Sequence, residues 1–356
     1  MSALPAPEPD ETAAPTVLRA RGTDELIAVV PALLGFHPTR SLVAIAVHGD
    51  RGRLGLRIRI DLPPVEQADQ VVDGVVRHLA GQRPDGVLLV AFAETATEAD
   101  ACVLAALERI EAAGLDVVDA VRCDGSRYWS YVCPDPRCCP PGGTPYDAQG
   151  NVLLAEAVFS GLEVLPDRDA LARRYDPVAG PVAEQMHAAT TRALVEVAAV
   201  PPDVDGDRWR RSAAFLQPGL DRVRQIISSV DQLGHWPLAD DEVAVLSVWA
   251  SVVVVRDVLW SGIERRNATA RLELWRHVAQ RVVPPFEPAV LSLAGFAAWL
   301  SGHGAESRCA LDRALSADPT YSMAHLLMSA LDGGLPPGVW EGLPVGDVLG
   351  TVSGLT

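Results

Sequence analysis

The sequence predicts an α/β N-terminal domain with a mixed sheet, followed by an all-α C-terminal domain that carries a tetratricopeptide-like helical hairpin. Three observations carry this reading. Apolar strand patterns alternate with amphipathic helix patterns over residues 23–146, with hairpin-type turns at two places. From Ala148 onward the strand signals stop and helical periodicity remains. Seven of the eight tryptophans lie in that second part, as expected of a helical array that buries large aromatics between layers.

The elements follow in order. Thr23 reads as the N-cap of a first helix, with Asp24 and Glu25 in its first turn and Gly35 as its stop. Leu26, Ile27, Val30, Leu33 and Leu34 form its apolar stripe, and Pro31 is a local irregularity. After a loop at 36–40, residues 41–47 are almost wholly apolar, the mark of a central strand. A turn at 48–52 returns the chain as a strand over 54–62, with Leu56, Ile58 and Ile60 on one face and Arg57, Arg59 and Asp61 on the other. Pro63 and Pro64 end it, and 65–79 is an amphipathic helix. A buried strand at 86–92 precedes a helix capped by Thr95 and reaching Ala113. A strand at 117–123 then turns at Asp124-Gly125 into an aromatic strand at 127–132.

Helices are expected near 148–160, 167–174, 179–199, 206–233, 240–262, 268–282, 287–301, 303–317 and 321–331. The chain thus divides into a disordered tail (1–16), an α/β domain (17–165), a helical domain (166–335) and a C-terminal tail (336–356). Gly295, Gly302, Leu311, Ala314 and Pro319 fall where a tetratricopeptide repeat places small, apolar and terminating residues. Ala298 and Ser307 depart from that pattern, and one copy fits a hairpin that pads the core better than a peptide groove.

Composition excludes several classes. With 356 residues, two full cores are affordable. The net charge is −16 and lysine is absent, so all 30 basic residues are arginines. Such acidity argues against non-specific binding to nucleic acid or adhesion to anionic membranes. The longest apolar run, 243–260, contains Ser247, Ser251, Arg256 and Asp257. It falls short of the ~20 apolar residues of a membrane span and reads as a buried core helix. Residues 1–16, rich in Ala, Pro and acids, are the opposite of a secretory signal. Six cysteines in a chain of this size imply no disulfide framework, which fits a cytoplasmic protein.

The segment RYWSYVCPDPRCCPPGGTPY (127–146) concentrates unusual chemistry, with three of the six cysteines and three of the five tyrosines. Prolines 134, 136, 140 and 141 place Cys133, Cys138 and Cys139 on a stiff loop. Three readings stand side by side. Thiolates select zinc, although adjacent Cys138 and Cys139 rarely ligate one ion together, and Cys123 or His37 would have to complete the set. A redox pair would join Cys133 to Cys138 or Cys139, since a vicinal ring is strained. The plainest reading is thiols packing as small apolar groups, with no cofactor and a fold that survives chelation.

A second candidate is the loop His37, Arg40 and Ser41, where a titratable ring and an anion-holding pair join a helix to a central strand. The plainer alternative pairs Arg40 with a surface acid and packs His37 beside Pro38. Arg127, Trp129, Gly142, Gly143 and Thr144 complete the ligand-binding candidates, the glycines as backbone N–H donors ahead of a helix. No phosphate-binding loop, dinucleotide fingerprint, zinc-protease helix or nucleophile elbow is present in the sequence.

DELIAVVPALLGFHPTRSLVAIAV (24–47), RIRIDLP (57–63) and SRYWSYVCPDPRCCPPGGTPY (126–146) together resemble the actinobacterial domain-of-unknown-function family 4192, over roughly residues 17–335. That resemblance implies a bacterial cytoplasmic protein of two parts and brings no reaction. The expected function is therefore non-catalytic binding or regulation, with a protein partner met through the helical domain. The alternative is an enzyme or small-anion binder with a site between the 35–41 loop and the 127–144 segment. The sequence sets no oligomeric state.

Overall fold

The computed structural model describes residues 19–199 and 212–350. The chain divides after Asp167 into two compact units. The first is built on a six-stranded mixed sheet of β1 (Ser41–His48), β2 (Arg53–Asp61), β3 (Gly86–Phe92), β4 (Val117–Cys123), β5 (Arg127–Ser130) and β6 (Thr144–Pro145). The strand order is β2-β1-β3-β4-β5-β6. Only β3 and β4 run parallel, joined by α3 (Ala96–Ala112); the other neighbours are antiparallel.

Both faces of the sheet are covered, which is why β1 and β3 read as unbroken apolar runs. Leu42, Ala44 and Ala46 of β1 pack with Leu89 and Ala91 beneath α2 (Ala68–Gly81) and α3. Val43, Ile45 and Val47 point the other way, onto Ile27 and Val30 of α1 (Thr23–Leu34). The outer side of α1 buries Val29 and Ala32 against Leu153 and Ala157 of α4 (Val152–Phe159). Gly35 ends α1 at φ 84°, its N–H donating to Pro31 O. Thr95 caps α3, with its N–H donating to Glu98 Oε2 (3.4 Å).

Three details differ from the sequence expectation. The residue before α1 is Gly22, because the Thr23 hydroxyl donates instead to Asp119 Oδ2 across the sheet (2.8 Å). The aromatic strand stops at Ser130, whose Oγ accepts from Val132 N (3.3 Å) and Cys133 N (3.1 Å) and turns the chain. The Gly142-Gly143 turn leads into β6 rather than a helix, because Thr144 and Pro145 pair with Tyr128 and Arg127. The next helix, α4, starts only at Val152, under the Asn151 cap.

The second unit is helical: α5 (Arg168–Ala172), α6 (Pro181–Ala198), α7 (Ala213–Leu233), α8 (Asp240–Ala250), α9 (Val253–Ser261), α10 (Ala268–Arg281), α11 (Glu287–Leu300), α12 (Gly304–Ala317), α13 (Ser322–Asp332) and α14 (Val345–Leu349). Residues 206–211, with Trp209, and the Pro201-Pro202 break lie outside the described residues, as do residues 1–16. The expected core helix over 243–260 is two helices, α8 and α9, bent by 110°. Ser251 Oγ takes the Val248 carbonyl (2.6 Å), and the β-branched run 252–255 favours leaving the helix there. No single helix among the described residues is long and apolar enough to cross a membrane.

Helices α11 and α12 form the expected hairpin. A Cβ on Gly295 would lie 2.9 Å from Leu311, so a small residue is required where the helices approach. Gly302 turns the chain at φ 86°. The described part of the C-terminal segment is packed rather than loose. Trp340 stacks on Trp260 (5.5 Å between centroids), and Val348 and Leu349 are buried.

Candidate functional site

Asp61, Ser41, Phe92, Cys123, Tyr128 and Thr144 pair in one line across all six strands. The 35–41 loop and the start of the 127–144 segment therefore share one end of the sheet. Three strand spacings, about 14 Å, separate Ser41 from Tyr128.

Each candidate on this edge is engaged locally. His37 is exposed, and its N–H donates to Leu165 O (2.9 Å). Arg40, at φ 44°, pairs with Glu98 Oε1 (3.1 Å) at the start of α3. The fully buried Ser41 hydroxyl donates to Thr39 O (2.7 Å) and accepts from Arg59 Nε (2.9 Å). Arg127 donates to Gly142 O (3.2 Å) and Gly143 O (2.8 Å), and Trp129 Nε1 donates to Pro141 O (3.0 Å). Thr144 Oγ1 lies 3.5 Å from Cys138 O.

Arg122, which the sequence reading passed over, organises this edge. It is 7% exposed and donates to Ala93 O (3.2 Å) and Glu94 O (3.0 Å). Its guanidinium carbon lies 3.7 Å from the Trp129 ring centroid, a cation–π stack. Trp129 in turn fills the space over Gly143. The Pro-Pro-Gly-Gly turn is thus clamped to the strand by Arg127 and Trp129.

The loop so anchored brings the sulfurs of Cys133, Cys138 and Cys139 within 4.8 Å of one another. Cys138 N and Cys139 N both donate to Asp135 O (3.1 and 2.8 Å), a turn that swings adjacent cysteines toward Cys133. Hydrogen bonding from Cys139 holds the Cys133 thiol below its ordinary range, and the same contact pushes Cys139 up to about 12. All six cysteines are free. Cys102, Cys123 and Cys309 are buried, and burial pushes Cys102 up to about 11 and Cys123 to about 12. In reduced, chelator-treated native protein, a small alkylating reagent is expected to modify half-buried Cys133 and exposed Cys138 before Cys139, and Cys102, Cys123 and Cys309 only after denaturation. Simultaneous loss of all six by mass spectrometry would contradict this placement.

The helical unit carries an open cleft of about 490 Å³ between α7 and the start of α8, lined by Arg222, Gln225, Ser229, His235, Trp236 and Glu242. Gly234, at φ 60°, lets the chain leave α7. His235 Nε2 meets Glu242 Oε2 (2.8 Å), which also accepts from Ala239 N (2.9 Å) and so fixes the start of α8. Trp236 is 47% exposed and leans on His277, 4.9 Å between ring centroids. The sequence points to Trp236 only as one of the tryptophans that a helical array buries between layers, an expectation that its exposure overturns; the other lining residues are not singled out. Their one local signal is a His-Trp-Pro turn ahead of three acids, and Arg222 joins only through the fold.

Burial, then the Arg281 charge, lowers the His277 pKa, and Arg281 Nη1 donates to His277 Nδ1 (3.1 Å). A histidine lowered on folding contributes stability that is present above its unfolded pKa of about 6.5 and lost as pH falls below it, because the unfolded chain then binds the extra proton. The urea midpoint is expected to fall between about pH 7 and about pH 5, with a shallower fall in His277→Gln. Parallel profiles for the two proteins would remove His277 from the linkage.

A mixed-sheet α/β unit with a thiol-bearing edge and a helical unit with an aromatic cleft define a two-part chain. The chain belongs to the domain of unknown function family DUF4192, whose model matches residues 24–338. No curated protein and no solved structure matches it.

Proposed function

We propose that the protein is a non-catalytic binding protein that works through its helical unit, with the α7–α8 cleft as its recognition surface. The observation that carries this is Trp236. Trp249, Trp275 and Trp299 are 5%, 1% and 8% exposed, whereas Trp236 is 47% exposed and propped by His277. Beside it, the Arg222 guanidinium hydrogen-bonds the neutral side chain of Gln225 (3.1 Å), and no ion pair joins it to a carboxylate among the described residues. Tryptophan and arginine are the side chains that most often carry binding energy at interfaces. A peptide segment presenting a carboxylate next to an apolar side chain fits this pair. A reducing, cytoplasmic setting belongs to the same proposal, since it keeps the exposed loop cysteines as thiols.

The alternative, an enzyme or anion site between the 35–41 loop and the 127–144 segment, has less support. Arg40 is occupied by Glu98, Ser41 by Arg59, and Arg127 by two carbonyls of its own loop.

The test is a library of peptides with acidic and apolar positions, screened against the full chain. Binders are expected to weaken about 30-fold in Trp236→Ala, the effect of a 2 kcal/mol contact, with the circular dichroism unchanged. A library yielding no Trp236-dependent binder, from a preparation that turns over a substrate, would contradict the proposal.

A further inference from the structure

We infer that Cys133, Cys138 and Cys139 form a three-thiolate site for a thiophilic metal ion, with Zn2+ as the occupant and the fourth coordination position open to solvent. The site lies in the α/β unit and stands independently of the cleft on the helical unit.

The first support is convergence. The three sulfurs lie within 4.8 Å of one another. A tetrahedral Zn2+ with Zn–S bonds of about 2.3 Å needs sulfurs about 3.8 Å apart, so rotation of the cysteine side chains by less than about 1 Å closes the set. A disulfide would use two of the three sulfurs and leave the approach of the third unexplained.

The second support is that the backbone already holds the donors. Ser130 Oγ accepts from Cys133 N (3.1 Å) and donates to Asp119 Oδ1 (3.2 Å), tying Cys133 to β4. The Asp135 carbonyl collects Cys138 N and Cys139 N, and this shared turn lets neighbouring cysteines face one point. The Asp135 carboxylate is engaged by Arg137 N (2.9 Å) and the Arg137 guanidinium (2.9 Å), so it fixes the turn rather than competing as a ligand. On the far side, Arg127 and Trp129 seal the loop.

The third support is the donor set. Sulfur-only ligation selects soft ions and excludes Mg2+ and Ca2+. Among the described residues, no imidazole or carboxylate joins the three sulfurs. Structural zinc sites close with four protein ligands, whereas three ligands and an open position characterise sites that exchange or react. Cys138 is exposed and Cys133 and Cys139 are half-buried, so the ion is reached directly from solvent. The loop is assembled by hydrogen bonds, so the ion is a passenger on the fold and not its scaffold.

The experiment uses the full chain, reduced and stripped with a chelator, titrated with Co2+ and then Zn2+. The expected result is one equivalent of Co2+ with a near-ultraviolet thiolate-to-cobalt charge-transfer band, displaced by Zn2+. Cys133→Ser and Cys139→Ser are each expected to weaken Zn2+ by at least about 100-fold, and Cys309→Ala to leave it unchanged. Stripped protein should still unfold cooperatively, which separates an exchangeable site from a structural one. A band that is absent, or that survives in folded Cys133→Ser, overturns the site. Conversion of the loop to a Cys133–Cys138 or Cys133–Cys139 disulfide without one-equivalent metal binding before oxidation would replace it with a redox pair.

Discussion

Replacing Glu306 by alanine is expected to destabilise the helical unit by about 3–5 kcal/mol, the cost of leaving buried charged partners uncompensated. Glu306 sits on α12 at 2% exposure. Its Oε1 accepts from Arg276 Nη2 (2.7 Å), Arg276 Nε (2.8 Å) and the Tyr175 hydroxyl (3.1 Å), while Oε2 meets Arg174 Nη1 (3.4 Å). One carboxylate thus joins the segment after α5, the middle of α10 and α12. Burial, then the Glu306 charge, raises the Tyr175 pKa well above its usual value, so the phenol remains a donor at all physiological pH. Truncation leaves the Arg276 guanidinium and a fully buried hydroxyl facing a void. Glu306→Gln retains acceptor capacity but not charge, and should fall between wild type and alanine. Urea unfolding followed by tryptophan fluorescence measures both, and a loss under about 1 kcal/mol in the alanine variant would mean that water replaces the carboxylate.

Gly143→Ala is the second large effect, in the other unit. Gly143 has φ 78°, and a Cβ there would stand 2.5 Å from Trp129 Cε2. The left-handed backbone costs an alanine about 1–2 kcal/mol. Displacing the indole adds about 1–3 kcal/mol of overpacking. The expected sum is about 2–5 kcal/mol, with loss of near-ultraviolet dichroism as Trp129 leaves Arg122. Gly142→Ala is the control, because its Cβ meets nothing within 4 Å and its φ is unremarkable. It should stay within about 0.5 kcal/mol. Equal melting of the two variants would contradict the Trp129 clamp.

What the sequence disclosed follows from what is local. The strands at 86–92 and 117–123 are legible to the residue because glycine or turn residues bound a short apolar run. The helices at 268–281 and 287–300 end within a residue of expectation, since both periodicity and flanking prolines or glycines mark them. β6 was illegible: two residues, one of them proline, are a strand only because Arg127 and Tyr128 pair with them. The α8–α9 break hides inside continuous apolar composition, where a serine hydroxyl on the Val248 carbonyl and a run of four valines mark it only weakly. Of the candidate sites, the cysteine segment stood out by its composition, but the convergence of adjacent Cys138 and Cys139 depends on a single carbonyl, Asp135 O. The cleft depends on the fold setting Arg222 of α7 and Glu242 of α8 on the walls of one opening. Glu306 on a helical pattern reads as a surface acid until α10 is laid against it.

The most direct measurement is photo-crosslinking in the producing cell from a reactive amino acid placed at Gln225 on the cleft rim, beside the same group at exposed Val195 on α6. The expected result is a discrete adduct from position 225, absent from position 195 and abolished by Arg222→Glu in folded protein. An adduct that forms equally from both positions, or that persists in Arg222→Glu, would contradict recognition through the helical cleft.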